Sequence, residues 1–251
     1  MKELEVAKEA AREAGKVVLE RFGKARAWTK DQKQIVTEAD IEAEKIIIGA
    51  LKKNFPEHGI ISEEAGGKIE GKTEFWMVDP LDGTHNFAFG IPIFAVSVGL
   101  VDRKGIKCSV VFDPNRNETW WAERGKGAYC NGKRLEVSGR GKIDDAILSV
   151  SANRTFRKGL DWKIVDKFSE IRAFGCLTMT LASIASGRID ACITPGTGGM
   201  LMEYPTFLLI TEAGGKVTGW DGGKFYGKGS RVAASNGRIH KELIGLLSKK
   251  I

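Results

Sequence analysis

No apolar run in this chain of 251 residues is long. The longest nearly apolar stretch, Ile91 to Val101, has 11 residues and contains a glycine. A membrane-spanning helix needs about 20, so an integral membrane protein of that kind is excluded. The core must be assembled from short pieces, and the chain supplies them. Leu4, Ala7, Ala11, Ala14, Val18 and Phe22 recur at helical spacing and predict an amphipathic helix over 4–22 that stops at Gly23. The polar, basic residues 24–35 read as an exposed loop. A second helix starts near Thr37, with Glu38 and Asp40 in its acid-rich first turn. Strands follow at 59–62, 74–79, 94–101, 107–112 and 118–122, with turns at Gly125, Gly127, Asn131 and Gly132. After residue 140 the rhythm changes. Strands at 145–151, 189–194, 216–218 and 231–234 alternate with helices at 160–168, 177–185, 205–213 and 241–247. The pattern predicts a mixed α/β chain of two sub-domains, 1–140 and 141–251, in one body.

Composition narrows the chemistry. The net charge is +7, so anions are attracted. The lysines are spread among 32 acids, and no block of five or six basic residues appears, which argues against nucleic acid as the main partner. Four scattered cysteines (Cys108, Cys130, Cys176, Cys192) form no C-x-x-C pair and read as buried thiols. Three histidines without ligand spacing make imidazole metal sites and a Ser–His–Asp triad poor candidates. The start, Met-Lys-Glu-Leu-Glu, lacks the apolar core of a signal peptide, so a cytoplasmic location is expected. The 28% charged content, rich in Lys and Glu, suits a thermophilic source.

One stretch is a decoy. Gly66-Gly67-Lys68-Ile69-Glu70-Gly71-Lys72-Thr73 matches a P-loop pattern, but a strand-like run ending at a proline follows Thr73. A P-loop needs a helix there, whose amides hold phosphate. The Gly196–Gly199 stretch likewise reads as a turn.

The informative segment is Trp76-Met77-Val78-Asp79-Pro80-Leu81-Asp82-Gly83-Thr84-His85-Asn86-Phe87. An apolar strand delivers Asp79 to its carboxyl end, and Pro80 stops the pairing. Asp82 lies three residues on, so both carboxylates face one point. Gly83 and Thr84 offer open backbone N–H groups to a phosphate. Upstream, Ser62-Glu63-Glu64 ends another strand and adds carboxylates. Carboxylates without His or Cys partners favour Mg²⁺ or Mn²⁺. Beside a phosphate cradle they point to metal-assisted hydrolysis of a phosphate ester.

These residues resemble the inositol monophosphatase family. The resemblance rests on Asp-Pro-Leu-Asp-Gly-Thr-x-Asn-Phe with Ser-Glu-Glu upstream, and on Val36-Thr37-Glu38-Ala39-Asp40. It continues through Ala122–Ala128, Arg172–Cys176, Ala185–Ala191 and Glu212-Ala213-Gly214-Gly215. It implies a layered α-β-α-β-α sandwich, a homodimer, and a lithium-sensitive, Mg²⁺-dependent phosphomonoesterase holding two to three ions. Glu63, Asp79 and the Leu81 carbonyl would hold the first ion, and Asp79 and Asp82 would share the second. Gly83 and Thr84 amides would bind phosphate. Asp40 and the Thr84 hydroxyl would orient the attacking water. Residues 30–34 match a catalytic loop, in which Asp31 would help to hold a third ion. Arg172 is a candidate contact for a second phosphate or the sugar. Asp82 is also a candidate substrate contact.

One departure matters. The family's further metal-ligand Asp stands ten residues before the Glu of Glu-Ala-Gly-Gly, and here that position is Met202. Glu203 is one residue out of register, and we expect it to take the ligand's place. The substrates implied are inositol monophosphate and fructose 1,6-bisphosphate. Alternatives are a 3′-phosphoadenosine nucleotide or an NADP 2′-phosphate. A further alternative is a sugar-phosphate-binding protein that has lost turnover.

Overall fold

A computed structural model describes residues 1–29, 35–150, 162–194, 202–224 and 231–248. Helix α1 (Lys2–Arg21) buries Leu4, Ala7, Ala11, Ala14 and Val18 on one stripe, as its spacing predicts. Helix α2 (Glu38–Asn54) opens on a capping box between Thr37 and Asp40 and buries Ala39, Ala43, Ile47 and Leu51. Between them, β1 (Ala27–Thr29) and β2 (Ile35–Thr37) pair antiparallel, which corrects the plain loop expected over 24–35. Residues 30–34, including Asp31, lie outside the described residues.

An eight-stranded sheet follows. Its strands are β3 (Gly59–Ser62), β4 (Gly66–Lys68), β5 (Glu74–Asp82), β6 (Ala95–Asp102), β7 (Gly105–Asp113), β8 (Glu118–Glu123), β9 (Ala128–Cys130) and β10 (Lys133–Arg134). Their order is β10-β9-β8-β7-β6-β5-β3-β4. The P-loop decoy resolves into edge strand β4 and a turn, with β5 directly behind Thr73. Helix α3 (Thr84–Ala88) leaves β5 at Gly83.

A five-stranded sheet, ordered β12-β11-β13-β15-β14, is built from β11 (Ile147–Val150), β12 (Glu170–Arg172), β13 (Ala191–Thr194), β14 (Lys216–Gly219) and β15 (Val232–Ser235). Helices α4 (Leu177–Ala185), α5 (Phe207–Glu212) and α6 (His240–Leu247) accompany it. The helix expected over 160–168 is a 3₁₀ segment, Trp162–Lys167.

The strand period of two sorts side chains into three cores. Trp76, Val78, Val96, Val98, Leu100 and Val110 pack under α1 and α2. Ala95, Val111 and Trp120, on the opposite face of the same sheet, meet Leu181, Ile184, Leu209 and Ile210 of α4 and α5 together with Cys192, Val232 and Ala234 of the second sheet. Leu148, Ala191, Ile193 and Ala233 turn outward to Leu243 and Leu247 of α6. The layers run α1/α2, first sheet, α4/α5, second sheet, α6, which is the α-β-α-β-α sandwich. The first sheet's strands end at Arg134 and the second's begin at Ile147. The middle core joins both.

Candidate active site

In a regular strand, residues three apart point to opposite faces. Asp79 and Asp82 escape this through a bulge. Asp79 pairs with Ser97 and Asp82 with Ala95, so three steps on β5 span two on β6. Both carboxylates therefore face the α4/α5 side. Pro80 does not end the strand, as the sequence suggested; β5 runs through it to Asp82. The Leu81 amide donates to Asp79 Oδ1 at 3.1 Å and closes the bulge.

Behind the bulge, Gly83 has φ +92°, and a Cβ there would lie 2.7 Å from the Ile93 carbonyl oxygen. Only glycine fits. Thr84 Oγ1 sits 2.9 Å from the Leu81 carbonyl and 3.2 Å from Asp40 Oδ1. The other oxygen of Asp40 accepts from the Thr37 amide at 2.8 Å and the Thr37 hydroxyl at 2.5 Å. The cap of α2 thus aims Asp40 at Thr84.

Strand β3 runs parallel to β5, and its carboxyl end delivers Glu63, whose amide donates to the Val78 carbonyl at 3.1 Å. The Glu63 carboxyl lies near enough to that of Asp79 to hold it above its usual range. The turn carrying Glu63 is held by Glu44, which the sequence reading missed. The Glu64 and Ala65 amides donate to Glu44 Oε1 at 3.2 and 2.9 Å, and the Ser62 hydroxyl donates to the same oxygen. Its signal was present: Glu44 stands one helical turn after Asp40 on the same face of α2. We predict that Glu44→Ala, which removes the acceptor of these three donors, frees the turn and weakens Mg²⁺ binding by about tenfold. Isothermal titration checks this, and unchanged affinity would contradict it.

Glu203 reaches the site. One carboxylate oxygen from each of Asp79, Asp82 and Glu203 lies within 4.8 Å of the others. The register shift has a helical explanation. Tyr204–Thr206 is a 3₁₀ turn ahead of α5. A 3₁₀ step rises about 2.0 Å and an α step about 1.5 Å. Nine steps that include one such turn therefore cover about 15 Å, as ten α steps do. The rotation falls short by only about 40°, within reach of a Glu side chain. Pro205 anchors the turn on the sheet beside the acids, filling the space over Gly99, where a Cβ would lie 2.0 Å from the proline's.

Asp82 is braced from α4. The Thr178 amide donates to its Oδ2 at 2.5 Å and the Cys176 thiol at 3.2 Å. Burial and the charge of Asp82 push that thiol well above its usual range, so it stays a donor. Asn86 ties α3 to the segment before Cys176, donating to the Phe174 carbonyl at 2.7 Å. A cavity of about 320 Å³ opens over the acids and is lined also by Ile35, Gly83, Thr84, His85 and Gly175. Arg172 is absent from that wall. It pairs with Glu170 at 2.9 Å and donates to the Ile171 carbonyl at 2.8 Å. A larger cavity, about 840 Å³, lies between residues 134–139 and the segments 212–216 and 236–238. Of its two acids, Glu212 is engaged by the Gly125 and Gly127 amides at 2.7 Å, and no acidic cluster converges there.

Four carboxyls this close cannot all ionise alone. Burial, then Glu63, Asp82 and Glu203, hold Asp79 well above the carboxylate range. Burial, then Asp82, pushes Glu203 to about 8. Burial raises Asp40 to about 6 against its hydrogen bonds from Thr37. Asp82 is raised by burial and lowered by its donors on α4. The all-oxygen donor set and its stored protons fit a hard divalent cation that displaces them. The sign for stability follows. An unfolded Glu203 ionises near its ordinary 4.5 and the folded one near 8, so the folded chain holds the extra proton between them. In EDTA, stability falls as pH rises through that window. We expect the Tm to drop between about pH 5 and about pH 8. Mg²⁺ at the upper pH restores it, and Glu203→Gln flattens the drop; a pH-independent difference between the two proteins would contradict this.

Among the described residues, no helix is long and apolar enough to cross a membrane. The family model "Inositol monophosphatase family" matches residues 2–251. The chain is 36% identical to the Nus factor SuhB of Pseudomonas aeruginosa, covering 96% of this chain and 94% of the relative. It is 32% identical to a fructose-1,6-bisphosphatase/inositol-1-monophosphatase of Thermotoga maritima, covering 87% and 84%. A solved structure of a Thermotoga maritima IMPase superposes with a TM-score of 0.91 at 30% identity, over 99% of this chain and 98% of that one.

Proposed function

The chain belongs to the inositol monophosphatase family, a family of metal-dependent phosphoric monoester hydrolases, and from that premise we propose a Mg²⁺-dependent phosphatase of inositol monophosphate and fructose 1,6-bisphosphate. The observation that carries the reading is the convergence of Asp79, Asp82 and Glu203, with the Glu63 carboxyl beside Asp79. Glu63, Asp79 and the Leu81 carbonyl would hold one ion, and Asp79, Asp82 and Glu203 a second. Mg²⁺ supplies an acidified water and charge neutralisation at the leaving oxygen. The chain's own residues do the rest. Thr84 Oγ1, held between Asp40 and the Leu81 carbonyl, orients the attacking water and passes its proton toward Asp40. The Gly83 and Thr84 amides orient the phosphate. Burial of Asp79 strengthens the charge interactions it makes.

The cavity formed by the described residues, about 320 Å³, is at the small end for ligand sites. That favours a sugar or cyclitol phosphate over a nucleotide. The full acid set argues against a binder that has lost turnover. The name of the Thermotoga maritima relative supports both substrates. The Nus-factor name belongs to the Pseudomonas relative, and the acidic cavity is the feature of a hydrolase. Phosphate release from inositol 1-phosphate, fructose 1,6-bisphosphate and 3′-phosphoadenosine 5′-phosphate, each across Mg²⁺ and Mn²⁺ titrations, tests the reading. Turnover of the first two, inhibited by Li⁺, is expected. Preference for the nucleotide would overturn the substrate class, and no turnover would overturn the phosphatase. Phe89 and Ile91, 75% and 44% exposed just beyond α3, favour the homodimer. Sedimentation at a dimer mass is expected, and loss of dimer in Phe89→Asp.

A further inference from the structure

The sheet face that carries Asp79 also carries buried hydroxyls that nothing in the described structure satisfies. Ser97 stands directly across from Asp79, and Ser109 lies across from Gly99, two residues along β6. Thr206 closes the 3₁₀ turn that Glu203 begins. Ser97, Ser109 and Thr206 are 1%, 0% and 0% exposed, and among the described residues none of their hydroxyls has a hydrogen-bond partner. The neighbouring helix hydroxyls behave otherwise. Thr180 and Ser183 donate to carbonyls one turn back at 2.8 and 2.7 Å. Thr178 resembles the first group: its hydroxyl is buried and makes no direct hydrogen bond, while its amide donates to Asp82 Oδ2 at 2.5 Å.

Such groups cost stability unless something pairs them. Four of them lie along one seam: Ser97 and Ser109 share the β6/β7 face with Gly99, on which Pro205 packs next to Thr206, and the Thr178 amide on Asp82 brings the first turn of α4 to the same bulge. Each adjoins an acid of the site or its neighbour: Ser97 beside Asp79, Thr178 on Asp82, Thr206 behind Glu203, and Ser109 diagonal to Ser97. We propose that this seam is a binding site for ordered internal water. The water bridges these hydroxyls and braces the acids from behind. A chain of this length holds on the order of nine buried waters, so a polar seam of this kind is where some of them belong. The water site rests on the proposed metal site only in the Mg²⁺ measurement below; the Tm and the density read it without any metal.

The sign of a stability change tests it. Thr206→Val keeps the shape and removes the hydroxyl. If water is bound, the substitution strands it and the Tm falls by about 2–4 °C. If the seam is dry, an orphan hydroxyl is removed and the Tm holds or rises. A high-resolution crystal structure of the full chain must show a water within hydrogen-bond reach of at least two of the four hydroxyls. Ser97→Ala should weaken Mg²⁺ binding by about tenfold, as the loss of an outer partner does. Dry density, an unchanged or raised Tm in Thr206→Val, or wild-type Mg²⁺ affinity in Ser97→Ala would each overturn the proposal.

Discussion

Asp79→Asn loses metal-dependent phosphate release by at least about a thousandfold, while its metal-free form becomes more stable. The two effects share one cause. Asp79 is 2% exposed and sits at the meeting point of Glu63, Asp82 and Glu203. It is the group proposed to bridge both ions, so its charge is needed for catalysis. Without a cation that charge opposes three other carboxyls in a low-dielectric pocket. Asparagine keeps the shape and can still accept from the Leu81 amide, so the bulge survives. Melting curves in EDTA at about pH 8 and phosphate release at saturating Mg²⁺ check the pair. A lower Tm would mean that Asp79 holds the fold through contacts rather than straining it. Retained turnover would remove it from the ion sites.

Glu203→Gln weakens Mg²⁺ binding by at least 10–100-fold, the range that even an outer partner costs. Activity falls with it and returns partly at high Mg²⁺, because Glu63 and Asp79 still hold the other ion. The register makes this prediction specific. Adding Met202→Asp to Glu203→Gln moves a carboxylate to the spacing implied by the resemblance, whereas with the 3₁₀ turn over Tyr204–Thr206 the residue that joins the acids is 203. The double variant should stay as weak as the single one. Restored affinity would show that the helix, not the turn, governs the register.

Much of this was legible in the residues. The stripe of α1, the capping box of α2 and the apolar strand leading to Asp79 each follow from local rules. The pairing of acids with a Gly-Thr turn identified the chemistry. What was hidden depends on contacts between distant segments. The bulge over Pro80 and Leu81 is visible only once β6 supplies the two-residue partner span from Ser97 to Ala95. Glu44 reads as one more helix acid until the turn after β3 lies against it. Glu203 was placed by counting residues, and its reach depends on a 3₁₀ turn docked on Gly99. The partner of Arg172 was not legible either: its guanidinium lies on Glu170, two residues before it. Pairing of 27–29 with 35–37 joins strands too short to show a period.

The most direct test of the central claim is a crystal structure grown with Mn²⁺ and phosphate and measured at the manganese edge. The expected result is an anomalous peak bonded to Asp79, Asp82 and Glu203, with phosphate over the Gly83 and Thr84 amides. A cavity with no such peak, or a peak from which Glu203 is turned away, would contradict it.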